Sequence, residues 1–269
     1  LLHRNCPNCE TDNSSRPALD YSWQDWKLRK CGACGFVYLE NPPDYADFKV
    51  VFAWEKNHGD RKVRMRKEYP LAYGISRAWR KFYRWAVRKP DKLIKRINKW
   101  VPPGLVIDVG CGNADRLLSL PEHYETSGIE ISKALAEEAQ ELLATRGASI
   151  PNLPAVEGLA SYEAGTASGV LMRSFLEHEQ KPVELLSHAA RVLKPDGVAI
   201  IKVPNFSSIN RRVMGSRWCG FRFPGHVNYF TPASLRSMVE DAGLSAVGFG
   251  FFDRFPLSDN MWMVVRKGG

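Results

Sequence analysis

The chain reads as an α/β protein, a mostly parallel sheet with helices on both faces, preceded by a small cysteine-bearing ribbon. Three observations point there. From Leu105 onward, apolar runs of strand length alternate with helical patterns, the mark of repeated βα units and a parallel sheet. A glycine-rich turn, Gly110-Cys111-Gly112, follows the first of those runs, Val106-Ile107-Asp108-Val109. Two Cys-x-x-Cys pairs, Cys6/Cys9 and Cys31/Cys34, open the chain. The 269 residues thus divide into a ribbon (1–42), a basic helical region (43–100) and a sheet domain (101–269).

In the ribbon each cysteine pair sits in a turn, and Phe36-Val37-Tyr38-Leu39 follows the second as a short strand. Such a segment is too small to fold by burial alone. A tetrahedral zinc held by Cys6, Cys9, Cys31 and Cys34 supplies the missing stability, and with all four positions taken it is a structural site. Paired knuckles in a reducing compartment are more naturally thiolate ligands than disulfides. Between them, residues 10–30 carry Tyr21, Trp23 and Trp26 in a loop long enough to present aromatic surface, and Asn41-Pro42-Pro43 marks a boundary.

The net charge of +9 is concentrated. Residues 61–100 hold fifteen Lys or Arg against Glu68 and Asp91, so the remainder of the chain is mildly acidic. Ile75, Trp79, Phe82 and Ala86 form one helical stripe there, Pro90 ends it, and Leu93, Ile94, Ile97 and Trp100 begin another. Such a localised positive field suits RNA, a nucleotide-linked sugar or an anionic membrane surface; a solvated helix face, or a lid over the site, is the plainer reading. No apolar run reaches the roughly 18 residues needed to span a bilayer, and the first nine residues lack the apolar centre of a secretory signal, so the expectation is a cytoplasmic enzyme.

Beyond the Val101-Pro102-Pro103-Gly104 turn the elements follow in order. Strands are expected at 105–109, 126–131, 170–172, 198–203, 246–252 and 261–265. Helices are expected from Asp115, over 133–145 and over 182–193, the last closed by Lys194-Pro195-Asp196-Gly197. Thr231-Pro232 starts a further helix, with Thr at the cap and Pro in the first turn, and Gly243 ends it.

Gly110 and Gly112 let the backbone bend and a ligand approach at the carboxyl end of a strand, where open α/β sheets bind nucleotides. Glu130, 20 residues after Gly110, is placed to accept both ribose hydroxyls. Charge narrows the choice of nucleotide. Asp108 precedes the turn and Asp115 occupies the position of a dinucleotide fold's third glycine, so two anions would repel a pyrophosphate. S-adenosylmethionine (SAM) has no phosphate and carries an ammonium and a sulfonium, which fits better. Here the chain resembles the class I SAM-dependent methyltransferases, from about Val101 to the C-terminus. The resemblance implies a Rossmann-like seven-stranded sheet, with Asp108, Gly110 and Gly112 holding the methionine end and Glu130 the ribose. Ile131, Leu159 and Arg173 complete the implied cofactor set.

Phe175-Leu176-Glu177-His178, then Arg191-Val192-Leu193-Lys194-Pro195-Asp196-Gly197, then Val203-Pro204-Asn205 resemble the branch that includes ubiquinone-biosynthesis O-methyltransferases and sugar and natural-product methyltransferases. In that branch the Glu-His pair borders the substrate pocket and sometimes helps bind a divalent metal. His178 is the candidate general base with Glu177 as its helper; His226, in the loop Phe223-Pro224-Gly225-His226, is the rival base. Arg211, Arg212, Arg217, Arg222 and Trp218 form a cluster suited to phosphate or sugar. Where the family has Gly-Asp after its third strand to bind adenine, this chain has Gly158-Leu159-Ala160, so backbone or Ser161 must serve. The preferred reading is methyl transfer to a small or carrier-linked anionic acceptor, such as a sugar or a cell-envelope glycan precursor. An RNA methyltransferase and a non-catalytic binding protein, docked on a partner or on a membrane through the basic helix, are the alternatives.

Overall fold

A computed structural model describes residues 3–44 and 91–268. The chain forms two compact units, one of Leu1–Pro43 with Trp100–Gly269 and one of Asp44–Lys99. In the second unit the described part is helix α1 (Lys92–Trp100, ending in the first unit), where Asp91 Oδ1 accepts the Leu93 N–H. The expected stripe of Ile75, Trp79, Phe82 and Ala86, and the basic residues from Arg61 to Lys89, lie outside the described residues.

The first unit is built on a six-stranded sheet. Its strands are β3 (Gly104–Val109), β4 (Tyr124–Ile129), β5 (Ala167–Arg173), β6 (Leu193–Pro204), β8 (Leu244–Gly248) and β9 (Asn260–Lys267). They lie in the order β4-β3-β5-β6-β9-β8. The first four run parallel, and β9 pairs antiparallel with both β6 and β8. Both faces are buried, which is why β6 reads Val198-Ala199-Ile200-Ile201 without a polar break. Helices α2 (Asp115–Leu118), α3 (Lys133–Leu142), α4 (Ala155–Ala160), α5 (Pro182–Val192), α6 (Ile209–Met214) and α7 (Pro232–Asp241) connect the strands. One core joins Ile107, Val109, Met172 and Ile201 of the sheet to Leu159 of α4, Leu185 of α5 and Leu235 of α7. The Thr231 cap is a capping box, its side chain and that of Ser234 exchanging hydrogen bonds with each other's backbone N–H.

The sheet departs from the expected seven strands, and the reason is local. Residues 148–151 run beside β4, where Gly128 and Glu130 donate to the carbonyls of Ser149 and Pro151, both at 3.3 Å. The ladder is not returned. Gln140 Oε1 takes the Ile150 N–H at 3.0 Å and Pro151 has no N–H, so these residues form a trailing edge instead of a strand. Two other boundaries differ by four residues or more. Lys194-Pro195-Asp196-Gly197 continues β6 from Leu193, which pairs with Ala167, and the predicted strand at 246–252 stops at Gly248, before a 3₁₀ turn at Phe251–Arg254.

The ribbon belongs to the same unit. Strands β1 (Leu28–Lys30) and β2 (Val37–Leu39) pair antiparallel, and β2 also pairs with β7 (Asn228–Tyr229) from the far end of the chain, making a three-stranded sheet β1-β2-β7. Cys6, Cys31, Phe36 and Tyr38 are part of the same apolar core as the large sheet, and the Phe36 ring lies 5.3 Å from that of Phe230. Arg29 and Glu40 form a buried ion pair at 2.9 Å. Among the described residues no helix is long and apolar enough to cross a membrane.

Candidate active site

The carboxyl ends of β3, β4 and β5 lie side by side in the parallel part of the sheet. At the end of β3, Gly110 takes a φ of +69°, and the Phe175 ring occupies the space a Cβ would need, so only glycine fits both the bend and the contact. Gly112, at φ +58°, has open space where a Cβ would stand, a cradle a ligand can approach. The Glu130 carboxylate at the end of β4 accepts the Gly112 N–H at 2.9 Å and the Ser132 N–H at 2.8 Å, which ties the two loops together. Asp108 is buried, and burial pushes its carboxyl up to about 7 against the pull of Arg116 and Arg173, with Glu130 adding repulsion. A buried acid on the verge of ionising suits a cationic ligand, and the ammonium of SAM is one. Cys111 is packed where a Gly128 side chain would be, and burial raises its thiol to about 12, so it is inert there.

The residues expected near adenine lie in and beside a helix. Gly158-Leu159-Ala160 follows no third strand but lies in α4; the Leu159 side chain is fully buried in the core, and its carbonyl accepts Arg191. Ser161 spends its hydroxyl on the Gly158 carbonyl. The residue that ends the trailing edge is Asn152, whose amide donates to the carbonyls of Glu130 and Ile131, both at 2.9 Å. It was hidden in the sequence because the edge it follows has no strand signature. Arg173, at the end of β5, faces Asp108 electrostatically.

A second cluster lies after β5. Glu177, His178 and His226 bring one carboxylate oxygen and two ring nitrogens within 4.8 Å of one another, and the two imidazoles meet edge to face at 4.7 Å. His178 Nδ1 lies 2.7 Å from the Gly225 carbonyl and His226 Nδ1 2.8 Å from that of Gly220. A carbonyl only accepts, so each Nδ1 carries the hydrogen and each Nε2 keeps a lone pair. Burial holds His178 down to about 4 and His226 well below the usual imidazole range, so both are neutral at pH 7. Glu177 is raised by burial to about 7, opposed by its own backbone N–H, Lys202 and Arg222. Glu177 Oε2 is buried without a hydrogen-bond partner among the described residues, as is the Tyr229 hydroxyl. The loop carrying His226 is aromatic. Phe221 stacks on Tyr21 of the ribbon at 5.2 Å, and Phe223 on Trp23 at 6.4 Å. Of the expected basic cluster, Arg212, Arg217 and Arg222 are exposed, Arg211 lies over the rings of Phe206 and Tyr21, and Trp218 is buried with its N–H donated to Asp259.

The four ribbon cysteines are free thiols whose Sγ atoms all lie within 4.8 Å, three of the pairs at 3.5 Å. Zinc–sulfur bonds of about 2.3 Å in a tetrahedron give edges of about 3.8 Å, so the set is compatible with a structural zinc. Burial raises the Cys31 thiol, yet the N–H groups of Cys34 and Ala33 and the Cys9 and Asn13 side chains bring it down to about 6, toward the thiolate a metal needs.

A glycine bend beside a buried acid, tied to a glutamate at the end of the neighbouring strand, on this sheet order, defines a class I SAM-dependent methyltransferase. The chain belongs to the methyltransferase domain family, whose model matches residues 79–247. It is 25% identical over 168 residues to the ubiquinone biosynthesis O-methyltransferase of Vibrio parahaemolyticus serotype O3:K6 (strain RIMD 2210633), covering 58% of this chain and 69% of that one. Among solved structures, a SAM-dependent methyltransferase from Clostridium acetobutylicum ATCC 824 superposes with a TM-score of 0.52 at 10% identity, over 72% of this chain and all of the other. The [4+2]-cyclase SpnF shares the fold equally, with a TM-score of 0.52 at 16% identity, over 66% of this chain and 80% of its own. The same scaffold thus serves another chemistry, and the acceptor must be argued from the site.

Proposed function

We propose that the protein transfers a methyl group from SAM to a hydroxyl of a small, ring-bearing acceptor that carries an anionic group or carrier, such as a sugar or glycan precursor. The observation that carries the reading is the Glu177 cluster: a carboxylate oxygen buried without a partner among the described residues, beside two neutral imidazoles whose Nδ1–H groups are donated to carbonyls and whose Nε2 atoms remain acceptors. When bound, SAM supplies a methyl on a sulfonium, an electrophile that needs little beyond an aligned oxygen able to lose its proton. Asp108 holds the ammonium, Glu130 the ribose and Asn152 the adenine edge. The roles at the acceptor end reverse the first expectation. A base is most useful when its affinity for protons lies near the working pH, and Glu177, at about 7, meets that condition where His178, at about 4, does not. Glu177 therefore takes the proton of the reacting hydroxyl, freeing its oxygen for the methyl that bound SAM would supply, while the Nε2 lone pairs of His178 and His226 accept from neighbouring hydroxyls of the acceptor and so orient it. Exposed Arg222, which acts electrostatically on all three groups, draws the anionic end, and the Trp23–Phe223 pair flanks the ring.

The test is calorimetry with SAM followed by methyl mass-shift screening of nucleotide-sugar and RNA pools. With an acceptor in hand, Glu177→Gln is expected to lower kcat at least about 100-fold while the Kd for SAM stays within about threefold; near-normal turnover would remove Glu177 from the chemistry. The same three donors are also a set that a divalent cation could use. Turnover lost on chelation and restored by a divalent metal would favour that second reading. The RNA and membrane alternatives rest mainly on the basic segment outside the described residues.

A further inference from the structure

We infer that the ribbon is the positioning device of the acceptor site: its metal-stapled strand holds the His226 loop and the Glu177–His178 turn in register, while the SAM crevice is built without it. The inference rests on the acceptor-site reading of Glu177, His178 and His226. The connection can be followed bond by bond. Gly32, inside the second knuckle, donates its N–H to Asn13 Oδ1 at 2.9 Å, and the buried Asn13 amide donates to the Tyr38 hydroxyl at 3.2 Å. Tyr38 lies on β2 opposite Asn228, the second residue after His226. Leu39 N–H donates to the Val227 carbonyl at 2.9 Å, so the ribbon grips the chain directly beside His226.

From there the contacts pass to the turn that carries the other two groups. The N–H groups of Val227 and Asn228 both donate to the Glu177 carbonyl, at 2.8 and 3.1 Å. The Asn228 amide donates to the carbonyls of Leu176 and Glu179, at 2.9 and 2.6 Å, bracketing Glu177 and His178. Arg4, two residues before the first knuckle, fastens the same junction: its guanidinium donates to the carbonyls of Val227 and Gln180 and to Asn228 Oδ1. The crevice is tied separately, by Glu130 to Gly112 and Ser132. Arg4, Asn13 and Tyr38 are thus positioning residues that touch no reacting atom.

Hydrogen exchange read by mass spectrometry on the full chain, zinc-loaded and after chelation, tests this without reference to turnover. Metal loss is expected to speed exchange at least about tenfold in peptides covering 176–180 and 226–230, leaving 106–112 and 128–132 protected and the calorimetric Kd for SAM within about threefold. Unchanged protection at 176–180 and 226–230 would overturn the inference. If chelation unfolds the whole chain, Arg4→Gln decides, since it keeps all four thiolates: selective loss at the same peptides supports the inference, and protection equal to the parent overturns it. A failure to bind SAM at all would count against the proposed function but not against the exchange pattern, so the two stand or fall separately.

Discussion

Asp108 shows how one side chain can weaken the fold and serve the site. An unfolded aspartate releases its proton near pH 4, whereas burial keeps the folded one protonated to about 7. Between those values the unfolded chain binds fewer protons, so this group's contribution makes stability fall as the pH rises. Glu177 has the same sign over nearly the same range. His178 has the opposite sign, because from about 4 to 6.5 the unfolded imidazole takes a proton that the folded one refuses, and the depressed His226 adds to it. Asp108→Asn isolates one contribution. Its stability relative to the parent, measured by urea unfolding, is expected to grow between pH 4 and 7 by about 2–4 kcal/mol, while the Kd for SAM rises at least about tenfold. A pH-independent difference would mean that the carboxyl ionises in the ordinary range.

At the scale of elements, what was legible was what repeats locally. The apolar runs of β3 to β6 and the Thr231-Pro232 start of α7 carry their signals within a few residues, so their order follows from pattern, while the starts of β5 and β6 lie three and five residues earlier than the pattern placed them. Strands β1 and β7 are three and two residues long and carry no pattern; they exist because β2 lies between them. The trailing edge at 148–151 is decided by a side chain in another element, Gln140 of α3, which also donates to the Ala148 carbonyl at 2.7 Å. Gln140→Ala strips both bonds, leaving the Ile150 N–H and Ala148 carbonyl to water. The expected cost is about 1 kcal/mol in urea unfolding; no measurable change would show that the edge holds itself. For the site, the crevice was readable because Asp108, Gly110, Gly112 and Glu130 lie within 23 residues. The convergence of Glu177 and His178 with His226 was not, since no local spacing announces a contact across 48 positions.

For the molecule as a whole, the ribbon and the sheet share one core and one hydrogen-bonded seam, so with zinc bound they are expected to lose structure together on heating. Thiol accessibility of the four ribbon cysteines, followed against the far-ultraviolet circular dichroism of the zinc-loaded protein on heating, should give midpoints within about 3 °C. A ribbon that melts well before the sheet would make it a separate domain. The seam also dictates a timetable. Arg4 meets Asn228 across 224 positions of sequence, so the ribbon has no complete sheet to join until the segment around Asn228 has been made. During synthesis its four thiols must be guarded by metal, by reductant or by a chaperone, which makes the ribbon one of the last parts of this polypeptide to reach its final form.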